Sequence, residues 1–208
     1  MDGVFMKKII KWTAALLVFV SFVSVTDLVS DRKELHDSLI RLHVVGATDG
    51  EEDQAVKLRV RDAVTAWLQT ELDGIHNAAQ ARDYLRQHLS EIEAVANETL
   101  KDAGFLDRAS VSFLEEEFPL REYDTFSLPS GIYHSLRIRI GAAEGKNWWC
   151  VVFPTLCLGA TSAEMKDTAV SSGFDGDLAD TLTGESGYEL RFFLLDCLGM
   201  LENFFHLE

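Results

Sequence analysis

Apolar and polar residues alternate over several short stretches of this chain, a spacing typical of β-strands. The clearest alternation runs over 132–140, where isoleucine, leucine and His134 share one face and the other face carries Tyr133, Ser135, Arg137 and Arg139. Residues 38–46 and 110–113 predict two more strands. The run Cys150–Phe153, which follows Trp148 and Trp149, predicts a fourth. A short polar loop at 141–147 joins the strand at 132–140 to the strand that contains Cys150–Phe153. We therefore expect these two strands to form an antiparallel hairpin.

Two longer stretches place apolar residues three or four positions apart, which predicts amphipathic helices. The first runs from about Thr48 to Leu72, and Thr48 followed by Glu51 predicts a capping box at its start. The second begins near Asn77 and ends before Gly104, a residue type common just after a helix. Together with the strands, these helices predict an α+β fold in which a mostly antiparallel sheet packs on one face against a pair of helices.

The last fifty residues differ from the middle of the chain in composition. From Thr161 onward, ten acidic side chains face only one lysine and one arginine, and residues 161–187 are rich in Ser, Thr, Gly and Asp. This composition predicts a mobile acidic linker. We therefore divide the chain into an N-terminal signal or anchor (1–29), an α+β domain (36–160), the linker (161–187) and a C-terminal strand and helix (188–208).

Three lysines precede an apolar run at residues 12–25, the pattern of a secretory signal. The run is short for a membrane span, which needs about 20 apolar residues. Because no small-residue cleavage site follows, an uncleaved anchor stays open, and a buried N-terminal helix is the other alternative. We expect an exported, extracytoplasmic protein that contacts the membrane through residues 1–29.

The net charge of −15 over 208 residues excludes nucleic acid as an expected partner, because a phosphate backbone would repel this chain. The hydrophobic fraction of 47% is sufficient for a packed core. Cys150 and Cys157 are close enough in sequence for a disulfide in an oxidising compartment, although two buried thiols fit equally well. No C-x-x-C motif and no Cys/His set with zinc spacing occurs, so we expect neither a metal nor a cofactor.

Catalytic motifs are missing from the sequence: there is no G-x-S-x-G, no H-E-x-x-H and no glycine-rich phosphate loop. The six histidines are scattered, and His134 on an apolar strand face predicts a core histidine with satisfied hydrogen bonds. His43, with Arg41 at a strand end, is the better site candidate, although a structural role is equally consistent. Cys150 as a nucleophile near a histidine stays an open alternative.

The doubled tryptophan favours binding over catalysis. Trp148 and Trp149 follow a polar loop with Lys146 and Asn147, a composition found in interface hot spots. Because neighbouring residues of a strand face opposite sides, one tryptophan is expected to be partly exposed while the other lies in the core.

Two stretches carry a resemblance to a known family. They are LIRLHVVGATDGEEDQAVKLRVRDAV from Leu39 and FPLREYDTFSLPSGIYHSLRIRIGAAEGKNWWCVVFPTLC from Phe118. Both resemble the stage II sporulation protein R family of endospore-forming bacteria, and the likeness covers about Leu39 to Leu158. The sequence differs from the family pattern at 46–49, where Ala-Asn-Ser-Asp is usual, and at Thr155, where a second proline is common.

The resemblance implies a signalling protein without enzymatic activity. Proteins of this family are made in the forespore and exported into the space between the forespore and mother-cell membranes. There they activate a membrane-embedded aspartic protease of the mother cell, which processes the sigma-E precursor. As a hypothesis, the residues that contact the protease are Arg41, His43, Asp49, Lys146, Asn147, Trp148 and Trp149. The alternatives are an exported hydrolase or cell-wall-active enzyme using His43 or Cys150, and a structural envelope protein.

Overall fold

The computed structural model describes residues 11–13, 26–123, 126–154, 170, 175–183 and 189–206. A first helix, α1, occupies 26–38 and leads into strand β1. The elements that follow are β1 (Ile40–Val45), α2 (Glu51–Glu71), α3 (Ala78–Gln87), α4 (Leu89–Asp102), β2 (Ala109–Phe118), β3 (Arg121–Glu122), β4 (Ser127–Leu128), β5 (Gly131–Ile140), β6 (Asn147–Phe153), α5 (Gly176–Thr183) and α6 (Glu189–His206).

A four-stranded sheet in the order β2-β5-β1-β6 forms the centre of the fold, and β3 and β4 form a small separate ribbon. The pairs β2–β5 and β1–β6 are antiparallel, whereas β1 and β5 are parallel. The α+β class and the mostly antiparallel sheet are therefore confirmed.

The predicted hairpin between β5 and β6 is wrong, because β1 lies between them. Val44 pairs with Ile138 on one side and with Trp148 on the other. All six residues of β1 are buried. A strand buried on both faces belongs in the interior of a sheet, and the loop at 141–147 is long enough to pass over it.

Helices α2, α3 and α4 cover one face of the sheet. The core on this face joins Ile40, Leu42 and Val44 of β1 to an apolar stripe on the helices that includes Val60 and Ile92. The second predicted helix is interrupted at His88, the residue that ends α3 and precedes α4. The ring nitrogen Nδ1 of His88 lies 2.8 Å from the carbonyl oxygen of Tyr84, one of the last carbonyl groups of α3.

The opposite face is also covered, although only one covered face was predicted. A second core contains Leu35 of α1, Phe118, Tyr133, and residues of the two C-terminal helices. Two ion pairs hold α1 to α6: Arg32 lies 2.7 Å from Glu202, and Arg191 lies 2.8 Å from Asp31. The sheet is thus sandwiched between two helical layers.

The C-terminal part differs from its prediction in two places. Helix α5 falls within the predicted linker and buries Leu178, Ala179 and Leu182. Residues 189–195, in the part predicted as a strand, instead form the beginning of α6. A short apolar run does not distinguish a strand from a buried helix by its pattern alone. The first half of the predicted linker lies outside the described residues, apart from residue 170.

Most of the predicted signal or anchor, 1–29, also lies outside the described residues. Its last positions, 26–29, belong to α1. Among the residues that the structure does describe, no helix has both the length and the apolar character needed to cross a membrane.

Gly199 determines how closely α6 approaches the sheet, which gives a first testable prediction. A Cβ at this position would lie 1.7 Å from the carbonyl oxygen of Ser130. Glycine to alanine inside a helix normally stabilises by about 0.5–1 kcal/mol. Here we expect Gly199→Ala to destabilise the protein and to make α6 sensitive to limited proteolysis. Gly176→Ala is the control, because nothing lies within 4 Å of a Cβ there. Equal urea midpoints for the two variants would contradict the prediction.

Candidate functional site

Arg41 and His43 lie on the sheet face opposite to α2, α3 and α4, because they alternate with the apolar residues of β1. In the strand register, His43 is flanked by Arg137 of β5 and Trp149 of β6. We call Arg41, His43, Glu116 and Trp149 the buried polar row, in which Arg41 and His43 are buried and Glu116 and Trp149 are partly buried.

His43 contacts a carboxylate and an aromatic ring. Its Nδ1 lies 3.1 Å from an Oε atom of Glu116, and its ring stacks on Trp149 with centroids 3.7 Å apart. Arg137 approaches the same carboxylate at 3.3 Å. Burial alone would raise the pKa of Glu116, but the hydrogen bond with His43 and the charges of His43 and Arg137 outweigh it and lower this pKa. Glu116 is therefore ionised at neutral pH.

Arg41 is fully buried. Its guanidinium carbon lies 4.1 Å from the ring centroid of Phe118 and 5.1 Å from that of Tyr133. One nitrogen, Nη2, donates to the hydroxyl of Tyr123 at 3.0 Å, while Nε and Nη1 have no hydrogen-bond partner among the described residues. Burial lowers the pKa of Arg41. A charge in this position is costly, because aromatic rings replace only part of its lost hydration.

Asp49 connects the loop that follows β1 to the loop that precedes β6, at the end of β1 away from Arg41. Its carboxylate accepts a hydrogen bond of 2.7 Å from the backbone N–H of Lys146. Backbone bonds from Gly145 to Gly46 and from Glu144 to Ala47 join the same loops. Gly145 is required for this approach, because a Cβ there would lie 2.2 Å from the carbonyl oxygen of Thr48. The loops therefore present Lys146 and Asn147 in a fixed position.

The predicted capping box is wrong. Helix α2 begins at Glu51 after Gly50, and no side chain caps its first turn. Thr48 lies two residues before the N-cap position, Gly50: its hydroxyl accepts from the N–H of Gly50 and donates to Asp53. The acidic residues of the first turn, Glu51, Glu52 and Asp53, are placed to interact favourably with the positive end of the helix dipole.

The two tryptophans lie on opposite faces of the edge strand β6, as the alternation predicts. Trp148 is 37% exposed, and the guanidinium of Arg61 from α2 lies 4.3 Å from its ring centroid. Trp149 is half-buried and packs on Phe118 with ring centroids 4.7 Å apart. We call the exposed residues Asp49, Lys146, Asn147 and Trp148 the Trp148 patch.

The seven residues of the contact hypothesis thus fall into two groups. Four form the exposed Trp148 patch, and Arg41, His43 and Trp149 belong to the buried polar row. Sequence reasoning missed Glu116 and Tyr123, which partner His43 and Arg41. Residues 115–117 are three consecutive glutamates in the sequence, but the contact of Glu116 with His43 of β1 depends on a strand order that local patterns do not contain.

Cys150 does not form a catalytic pair with His43. Cys150 is buried on the α2–α4 face, whereas His43 is on the other face of the sheet. The predicted Cys150–Cys157 disulfide stays a prediction, because Cys157 lies outside the described residues. Cys197 on α6 carries a free thiol.

Comparison with known proteins gives the family. The family model for stage II sporulation protein R matches residues 36–163. The stage II sporulation protein R of Bacillus subtilis (strain 168) is 32% identical over 183 residues, which cover 79% of this chain and 82% of that protein. No solved structure matches the chain. The chain belongs to the stage II sporulation protein R family.

Proposed function

We propose that this protein is a secreted signalling protein of sporulation that activates a membrane-embedded aspartic protease of the mother cell, which then processes the sigma-E precursor. Membership of the family supports the sporulation role. The observation that carries the finer proposal is the Trp148 patch, an exposed aromatic side chain beside a polar loop whose conformation is fixed.

The chemistry of the patch suits a protein partner. Trp148 and the neighbouring Arg61 are of the residue types that contribute most to binding at interfaces. The hydrogen bond between Asp49 and Lys146 orders the loop before any partner arrives. A preordered loop loses little conformational entropy on binding, so more of the contact energy is available for affinity.

Activation is explained by differential binding. A signalling protein shifts its partner toward the active arrangement only as far as it binds that arrangement more tightly than the inactive one. Moving an equilibrium from 1:99 to 99:1 requires a preference of about 10⁴-fold, or about 5.5 kcal/mol. Three interface hot spots of about 2 kcal/mol each are enough for this.

The proposed location is the space between the forespore and mother-cell membranes. The three lysines and the apolar run that follows them direct the chain to the membrane for export. The net charge of −15 disfavours a nucleic-acid partner. No cofactor takes part in the proposed activity, because the signal is transmitted by binding alone.

A reconstitution tests this proposal. The protein is exported in cells that carry the membrane aspartic protease and the sigma-E precursor of the same organism, and the shortened sigma factor is detected by blotting. We expect processing that depends on the N-terminal signal. Trp148→Ala should weaken activation by about thirtyfold, since losing a hot spot of about 2 kcal/mol changes affinity by that factor.

The control for this experiment is Leu106→Ala, which removes a fully exposed apolar side chain far along the chain from the patch. Full processing with the Leu106 variant and reduced processing with the Trp148 variant would support the patch. Wild-type processing by the Trp148 variant would reject it. An exported hydrolase would instead lose all activity on a single polar substitution, such as His43→Gln, in a protein that remains folded.

A further inference from the structure

Three side chains from three different parts of the chain meet at one edge of the sheet. They are His36 of α1, Glu115 of β2 and His134 of β5. The His134 Nδ1 lies 3.4 Å from the Glu115 Oε1, and the His36 Nε2 lies 3.8 Å from the same oxygen. One ligand atom from each residue lies within 4.8 Å of the other two. Two imidazoles and one carboxylate therefore converge on a small volume.

His134 differs from its prediction as a core histidine with satisfied hydrogen bonds. Only 6% of it is exposed, yet its Nδ1 has no hydrogen-bond partner among the described residues. A buried ring nitrogen without a partner is unfavourable unless something else occupies its lone pair. An imidazole nitrogen whose lone pair is available is a common metal ligand.

His36 is oriented by a neighbouring carboxylate. Its Nδ1 lies 3.1 Å from an oxygen of Asp37. When Nδ1 donates to Asp37, the neutral ring leaves its Nε2 unprotonated, and this nitrogen is the one that faces Glu115. A carboxylate behind a histidine is the arrangement that fixes metal-binding histidines in proteins. Arg82 of α3 donates a hydrogen bond of 2.8 Å to the backbone carbonyl of Asp37, which helps to fix the position of this residue.

We propose that His36, Glu115 and His134 bind a divalent transition-metal cation of the Zn²⁺ type. In a tetrahedral site with bonds of about 2.0–2.1 Å, ligand atoms lie about 3.3 Å apart, so the two distances to Glu115 need only a small contraction. Two nitrogen donors and one oxygen suit Zn²⁺, whereas Mg²⁺ and Ca²⁺ prefer oxygen ligands alone. Glu115 is half-exposed, which leaves a fourth position open to water.

Two arginines oppose the binding of a cation. Arg82 and Arg86 of α3 both lie close enough to lower the pKa of His134. The carboxylates of Glu115 and Asp37 offset this positive charge. The metal is then held by the two nitrogen–metal bonds more than by net charge, which favours a transition metal over a hard cation.

A bound metal would fasten α1 to the sheet. Helix α1 follows the N-terminal segment directly, and it also contacts the body of the protein through the core residue Leu35 and the ion pairs of Asp31 and Arg32. A ligand that binds only the folded state stabilises it by mass action. We therefore expect Zn²⁺ to raise the melting temperature, whether or not the protein activates a protease.

The test uses the full-length, untagged protein after removal of metals with a chelator. Calorimetric titration with Zn²⁺ should give one saturable equivalent, and Co²⁺ should give the visible absorption bands of a four-coordinate site. His36→Ala and Glu115→Gln should each weaken Zn²⁺ binding by at least about tenfold. Both side chains are partly exposed, 29% and 53%, so circular dichroism should show folded variants.

His76→Ala is the matched control, since it removes an exposed histidine outside the cluster. It should leave Zn²⁺ affinity and the Zn²⁺-dependent rise in melting temperature unchanged. The proposal is overturned if the wild-type protein shows no saturable Zn²⁺ binding. It is also overturned if the double variant His36→Ala/Glu115→Gln binds Zn²⁺ like the wild type, because the metal would then lie elsewhere.

Discussion

Replacing Trp149 with alanine should lower the free energy of unfolding by about 3 kcal/mol, near the lower end of the range for buried tryptophan because this residue is half-buried. The indole covers His43 at 3.7 Å and packs on Phe118 at 4.7 Å. Its removal leaves a cavity and admits water to the pair formed by His43 and Glu116. Urea denaturation monitored by far-ultraviolet circular dichroism measures the loss directly.

Trp148→Ala is the matched control, because the two tryptophans are neighbours in the same strand. Trp148 contacts Arg61 at a partly exposed site, where such a cation–π contact contributes about 0.5–1 kcal/mol. We expect this variant to remain nearly as stable as the wild type while losing activation. If the two variants lose equal stability, the assignment of one tryptophan to the core and the other to a contact surface is wrong.

Local alternation predicted the faces of the strands correctly but not their order. In β5 the residues Tyr133, Ser135 and Arg137 do lie opposite to Leu136 and Ile138, because a pleated strand fixes this relation from the sequence alone. The position of β1 between β5 and β6 depends on contacts between residues about a hundred positions apart. The short loop between β5 and β6 favoured a hairpin of these two strands. The structure instead places β1, which is buried on both faces, between them.

The part of the chain after residue 160 was predicted less well, for a related reason. The acidic composition of 161–187 suggested a linker, yet Leu178 and Leu182 are four residues apart and meet the second core as one turn of helix α5. In α6, Leu195 is fully buried while Phe193 and Leu194 are exposed. Which of these apolar residues belong to a core depends on the part of the fold against which α6 packs, and the sequence of the helix alone does not contain this information.

For the site, the sequence supplied individual residues but not their partners. Arg41, His43 and the tryptophans were identified from motif resemblance and composition. Glu116 is 73 residues from His43, and Glu115 is 79 residues from His36. Neither pairing has a local signal, since each depends on β2 lying at the sheet edge beside β5. The histidine cluster was missed because its members have no characteristic spacing.

Arg41 provides the second prediction with a large effect. Arg41→Ala should lower the free energy of unfolding by about 2–5 kcal/mol, because it empties about the same volume as a buried methionine-to-alanine change. Arg41→Met should instead keep the wild-type stability or exceed it by about 1 kcal/mol. Methionine fills most of the space beside Phe118 and Tyr133 and removes a buried charge whose Nε and Nη1 have no partner among the described residues.

The pair of variants separates packing from charge. Urea midpoints and slopes measured side by side give the stability difference, and the sigma-E processing assay gives activation. We expect Arg41→Met to be stable and yet to activate poorly. A buried charge that does not stabilise the fold lowers the free energy of unfolding, and a functional role explains why such a residue is present. If Arg41→Met is as unstable as Arg41→Ala, the aromatic rings compensate the guanidinium fully and its role is structural. If Arg41→Met is stable and activates like the wild type, Arg41 has no part in signalling.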